Sequence, residues 1–150
     1  MLSRIIVVIF VALSAVFVHA APLGKRQVGD QQCNIDRLKI VTDLIQAQNT
    51  TKTLTIQLGT DPAGIKSIGA VSDGLDNAQS AIIDIVNALV SGQQAPASAR
   101  QQVADGLNAA ATALASINST DTRITSNLGQ LQTQLTAAGQ AGDAVLADCK

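Results

Sequence analysis

The sequence predicts an all-α fold, a four-helix up-down-up-down bundle, on three observations. Apolar residues recur every three then four positions along four successive segments, the spacing that turns one face of a helix toward a core. No run alternates apolar and polar residues as a half-buried strand would. The segments are joined by short connections, Gly59 to Asp61, Gly92 to Ala95 and Asn118 to Asp121, which make sequential helices antiparallel neighbours.

The second segment is the plainest. Ile68, Val71, Leu75, Ala78, Ile82, Ile85 and Leu89 form its apolar face, and Asp73, Asn77, Ser80, Asp84, Asn87 and Ser91 its polar one. Asp61 can cap it, Pro62 fits its first turn and Gly92 stops it, so the predicted helix covers 62–91. A third helix starts at Pro96 and carries Val103, Leu107, Ala110, Leu114 and Ile117. The fourth carries Ile124, Leu128, Leu131, Leu135, Ala138, Gly142, Val145 and Cys149. The first, from about Asn34 to Leu58, has two stripes: Ile35, Leu38, Val41 and Ile45, and then Ile40, Leu44, Ala47, Leu54 and Leu58. Asn49-Thr50-Thr51-Lys52-Thr53 weakens its middle, because β-branched Thr loses rotamer freedom in a helix, and leaves room for a break there.

The N-terminus is read as processing signals. Arg4 supplies a positive start, Ile5 to Val18 an apolar run, and Val18-His19-Ala20 small residues for cleavage after Ala20, so 1–20 is a secretory signal peptide. The run is shorter than the roughly 20 residues of a membrane span. Residues 21–26 read as a short propeptide that ends in the dibasic pair Lys25-Arg26, a kexin-type processing site. The helical domain is then 27–150.

Removal of that leader narrows the chemistry. His19, Phe10, Phe17 and Met1 all fall inside it, so the remainder has no His, Met, Phe, Tyr or Trp, and all of its acids are Asp. Seven basic residues face eleven acidic ones, a formal charge of −4. Such a domain lacks both the basic footprint and the stacking rings of a nucleic-acid binder, and nucleic acid is excluded as a partner. Without imidazole there is no ordinary nucleophile–base pair, and without His or clustered Cys no zinc site. Asp73 and Asp76 resemble paired carboxylates but read better as a solvated helix face. Lys66 and Ser67 are adjacent on a helix and do not face each other. No enzyme, metal or cofactor is expected.

Two cysteines remain, Cys33 and Cys149. In an oxidising compartment they are expected to pair. An even number of antiparallel helices brings the end of the last beside the start of the first, which is where these two residues sit. A bridge closing so long a loop contributes roughly 4–5 kcal/mol in the chain-entropy account. Asn49 and Asn118 open Asn-X-Ser/Thr sequons and should be exposed if glycosylated. The core must be filled by Ala, Val, Ile and Leu alone, so helices should approach closely, aided by Gly106, Gly129, Gly139 and Gly142. A deformable bundle held by its cystine is the expectation.

The candidate binding feature lies in the second helix. Besides the core-facing Ile82 and Leu89, the residues Ile83, Val86 and Val90 add a flanking apolar stripe. It can serve as a contact with two neighbouring helices, border an apolar cavity, or become exposed when helices part.

The leader ending in Lys25-Arg26, the opening Cys33-Asn34-Ile35-Asp36-Arg37-Leu38-Lys39-Ile40-Val41, the stretch Gly92-Gln93-Gln94-Ala95-Pro96-Ala97 and the closing Asp148-Cys149-Lys150 form a distinctive layout. It resembles that of the fungal hydrophobic surface binding protein A family, which includes antigenic cell-wall galactomannoproteins. The resemblance implies a fungal, secreted or cell-wall glycoprotein that adsorbs to hydrophobic surfaces and recruits secreted hydrolases to them. It equally implies fatty-acid or sterol carriage between helices. Some members carry Ser/Thr-rich stalks and lipid-anchor signals; this sequence shows neither, and no integral membrane anchor is expected. An apoplastic inhibitor or effector fits the size, but no residue supports it.

Overall fold

The computed structural model describes residues 31–149, so the signal peptide, the propeptide and their processing residues Ala20, Lys25 and Arg26 lie outside the described residues. Four helices run antiparallel in sequence: α1 (Gln31–Gln57), α2 (Pro62–Val90), α3 (Ala97–Ala115) and α4 (Thr122–Asp148). The described residues contain no strand. The predicted all-α bundle is therefore the fold.

The helix ends follow from local chemistry. Asp61 and Asp121 hold extended backbone and accept hydrogen bonds from the N–H groups of Ala63 and Arg123, at 3.0 and 2.8 Å. Each satisfies a donor that the first turn leaves unpaired. At the far end of α2, Gly92 takes φ 74°. Its N–H donates to the Leu89 carbonyl and that of Gln93 to the Ala88 carbonyl, which closes the helix with the left-handed cap that glycine adopts without steric cost. Pro96 precedes α3 as its cap rather than its first helical residue.

α1 runs unbroken through the threonine-rich stretch 49–53. Thr50, Thr51, Thr53 and Thr55 each turn the hydroxyl back to donate to the carbonyl four residues earlier, on Gln46, Ala47, Asn49 and Thr51. Each hydroxyl is thereby satisfied inside the helix, so Thr50 and Thr51 can be buried without an outside partner. Of the two stripes on α1, the second forms the core. Ile40, Leu44, Ala47, Leu54 and Leu58 are buried, whereas Ile35 and Leu38 are well exposed.

The interior is a single cluster of aliphatic side chains, with Leu54, Ile68, Val71, Leu75 and Leu131 almost wholly enclosed. Each such side chain contributes roughly 1.5–3 kcal/mol on burial. The helices do not share this core evenly. α2 packs against α3, and α1 against α4, along far more of their length than α1 against α2 or α3 against α4. The bundle is thus two close pairs laid face to face.

Glycine explains the first pair. A Cβ on Gly74 would lie 2.7 Å from the Gly106 carbonyl oxygen and 2.8 Å from the Ala110 nitrogen. One on Gly106 would lie 2.6 Å from the Gly74 carbonyl oxygen and 2.8 Å from the Ala78 nitrogen. The contact is reciprocal: Gly74 and Ala78 on α2 meet Gly106 and Ala110 on α3, backbone against backbone. The expectation held for Gly106 and missed Gly74. For Gly129, Gly139 and Gly142 it is corrected, because a Cβ on any of them would meet nothing within 4 Å.

The cystine ties the second pair. Cys33 and Cys149 are bonded, with Cα atoms 5.1 Å apart and a sequence separation of 116. Beside it on α1 the Asp36 carboxylate is only 1% exposed. Lys39 Nζ donates to it at 2.8 Å and Gln32 Nε2 at 3.0 and 3.1 Å. Lys39 first and Gln32 second hold this carboxyl below the usual aspartate range, against the opposing effect of desolvation. On α4, Gln134 Oε1 is buried with no hydrogen-bond partner, a cost of about 1–3 kcal/mol.

Three outcomes follow from this packing. Gly74→Ala and Gly106→Ala should each destabilise the fold, since about 1–3 kcal/mol of overpacking outweighs the roughly 1 kcal/mol gained in helix propensity. Gly129→Ala and Gly139→Ala should stabilise it by about 1 kcal/mol each. Urea midpoints check both signs, and a matching response at all four sites would remove the backbone contact from the account. Replacing both cysteines by Ser should cost roughly 5 kcal/mol for a loop of this length, read from the same titrations. For Asp36, a folded pKa below the unperturbed 3.8 means its stabilisation is full above that value and lost as pH falls through the lower folded pKa. Acid unfolding should therefore steepen below about pH 4, and Asp36→Asn should flatten that limb. Identical acid limbs in the two proteins would dismiss the carboxylate as a contributor.

Candidate functional site

The two ends of the bundle differ in surface character. The cystine pole holds the start of α1, the end of α2, the start of α3 and the end of α4. Ile35, Leu38, Ile83, Val90 and Leu146, five of the seven exposed large hydrophobic residues, fall there. Only Ile56 and Ile65 lie toward the opposite pole.

One hydrogen bond sets how these residues line up across the groove between α1 and α2. The Gln48 side-chain amide donates to the Gln79 side-chain oxygen, joining the two helices at mid-height. Steps of three or four residues return to the same flank of a helix. Stepping toward the cystine pole by helical register, back along α1 and forward along α2, brings Ile45 level with Ile83, then Val41 with Val86, then Leu38 with Val90. The rungs span about 10 Å between the Cα levels of the first and last, at 1.5 Å per residue. Leu38 is 43% exposed, Ile83 42% and Val90 75%, while Val41, Ile45 and Val86 are half-buried. All six residues are aliphatic. The nearest charges below the Gln48–Gln79 bond, Lys52 and Asp76, sit about one turn further from the cystine pole.

Of the stripe predicted on α2, Ile82 and Leu89 are half-buried, Ile82 against the core, while Ile83 and Val90 are exposed and Val86 half-buried on the helix flank that carries Gln79. The stripe on α1 that proved not to be the core is its counterpart. The two lie side by side as one aliphatic band. The sequence shows each half, but it carries no direct signal of the register that joins them. The Gln48–Gln79 pair is the only hint, and two glutamines 31 residues apart attract no notice.

The remaining site residues are placed simply. Asn49 is exposed at mid-height on α1, one turn from Ile45, and Asn118 is exposed in the connection between α3 and α4. Both acceptor asparagines are therefore exposed, although Thr50 and Thr51 of the first sequon are buried. Two solvent-open depressions lie elsewhere, one lined by Gln57, Thr122, Arg123, Ser126 and Asn127 and one by Asn118, Ser119 and Thr120. Neither touches the band. Among the described residues no group of three or more His, Cys, Asp or Glu could hold a metal ion. No described helix is long and apolar enough to cross a membrane.

Comparison with known proteins adds little to this geometry. No family model matches the sequence, and no curated protein matches it. Among solved structures the fold is similar to that of a pectin methylesterase inhibitor from Arabidopsis thaliana, at 16% identity and a TM-score of 0.44, covering 88% of this chain and 83% of that one.

Proposed function

We propose that this chain is a secreted, non-catalytic binding protein that adsorbs to hydrophobic surfaces at the fungal cell wall or growth substrate. The observation that carries the reading is the band of Leu38, Val41, Ile45, Ile83, Val86 and Val90, six aliphatic side chains on one flank of the bundle. It is the property that the resemblance of the Cys33 opening and the Gly92–Ala97 stretch implies. The cystine fits an oxidising, extracellular setting. The absence of His after Lys25-Arg26 argues against acid–base catalysis. Recruitment of hydrolases to the coated surface belongs to the same reading, through whichever face points away from it.

Enclosed carriage of a fatty acid or sterol receives less support. The band lies on the outside of the bundle, and the two depressions described above are lined by polar residues. An extended apolar surface meets such a band without needing a pocket. Covering the exposed parts of Leu38, Ile83 and Val90 at about 25 cal/mol per Å² supplies a few kcal/mol.

Incubation with polystyrene or wax beads should deplete the purified protein from solution. The double variant Ile83→Ser, Val90→Ser should be depleted several-fold less at an unchanged melting temperature, because both side chains are already well exposed. A native protein that stays in solution, or a variant that adsorbs equally, would overturn the assignment. A co-purified lipid in native mass spectrometry, displaced by excess fatty acid, would shift it to carriage.

A further inference from the structure

We infer that the bundle holds a second and larger apolar binding surface, the inner faces of its two helix pairs, which it presents to an apolar phase by hinging open at the cystine pole. The inference rests on the adsorption reading above and names how that adsorption becomes persistent.

Covalent topology makes the opening available. α2 and α3 are joined at the cystine pole by residues 91–96, and α1 and α4 are joined at that same pole by Cys33–Cys149. Both of these links lie within a pair. The connections between pairs, residues 58–61 and 116–121, lie together at the opposite pole. The pairs can therefore part at the cystine pole with every covalent bond intact, as two leaves on a common hinge.

The noncovalent contacts divide the same way. Gly74, Ala78, Gly106 and Ala110 lock α2 to α3 by direct backbone contact. Ser116 Oγ donates to Ser67 Oγ at 2.9 Å in that pair, and Asn127 Nδ2 to Gln57 Oε1 at 3.0 Å in the other. Between the pairs, the one side-chain hydrogen bond found among the described residues is Gln48–Gln79, and both ion pairs stay within single helices or their caps. What holds pair to pair is otherwise aliphatic contact, including Leu44, Leu54, Leu75, Leu107, Leu131 and Leu135. An oil or wax boundary replaces that contact with an equivalent one, which water cannot do.

Three of the four buried polar residues do not oppose the exchange, and the fourth, Gln134, has an Oε1 that is already without a partner in the closed bundle. Thr50 and Thr51 are satisfied by their own helix, and Asp36 keeps Lys39 and Gln32, which travel with it on α1. The aliphatic band marks the place where opening begins. Its rungs join α1 to α2, one helix from each pair, at the free mouth of the hinge. A surface that binds the band already touches both leaves.

Spin labels on the full chain test this, using polystyrene nanoparticles as the apolar phase. Asn34→Cys with Asn87→Cys reports across the pairs at the mouth. Asn34→Cys with Asp143→Cys and Asp84→Cys with Arg100→Cys report within each pair. On adsorption the first distance should lengthen by more than about 10 Å, the width of a helix, while the other two keep their solution values. An adsorbed protein with all three distances unchanged overturns the opening and leaves adsorption through the band standing. Lengthening of all three means general unfolding and likewise overturns it. Failure to adsorb at all removes the adsorption reading and the opening together.

Discussion

A helical domain without aromatic rings or methionine has a filling problem. Helices held apart by Phe or Met reach across the gap with long side chains; helices with only Ala, Val, Ile and Leu must close it by moving together. Dispersion falls steeply with separation, so a gap of even half an ångström forfeits much of each contact. Here α2 and α3 solve the problem at Gly74 and Gly106, where backbones touch because no side chain intervenes. The remaining architecture follows from that contact. Two helices drawn so close form a unit, and the other two, stitched at Cys33 and Cys149, form its complement.

The number and limits of the helices were legible because caps and periodicity are local. Asp61, Pro62, Gly92 and Asp121 announce ends that depend only on nearby backbone, and each acts as local chemistry requires. The failures were of two kinds. Thr50, Thr51 and Thr53 were misjudged because propensity counts the lost rotamers of threonine and omits the hydroxyl bond back into the helix. Gly129, Gly139 and Gly142 were misjudged because a glycine that admits a neighbouring backbone and one that faces solvent read alike in sequence. The Gly-X-X-X-Ala spacing at Gly74–Ala78, repeated at Gly106–Ala110, was the available clue. Asp36 also sat in plain view, three residues after Cys33 and four and eight before Ile40 and Leu44, in a stripe otherwise apolar. Its partner Lys39 follows at the next helical contact.

The candidate surface was half legible for a related reason. Each apolar stripe belongs to one helix, and helical spacing reveals it. That Val41 stands level with Val86 is a fact of register between helices, set by loop length, by the core and by Gln48 with Gln79. The stripe on α1 was read only as one of two apolar faces of that helix, and the exposure of Ile35 and Leu38 is what sets it apart from the core. Two partial amphipathic faces, neither sufficient alone, become a site once the fold aligns them.

The same economy of side chains bears on how such a protein meets an apolar phase. A core locked by interdigitating rings resists separation, because each ring fits one cleft and loses specific contacts elsewhere. Branched aliphatic side chains accept a hydrocarbon surface nearly as readily as one another. Rigidity is then needed only within each leaf, where the glycine–alanine contact and the cystine supply it. The cystine thus has a second consequence beyond shrinking the unfolded ensemble. By joining α1 to α4 and not α1 to α2, it strengthens a pair while leaving the mouth between pairs unbridged. A bridge placed one helix over would stabilise the closed bundle by a similar loop entropy and shut the surface that the aliphatic core could offer.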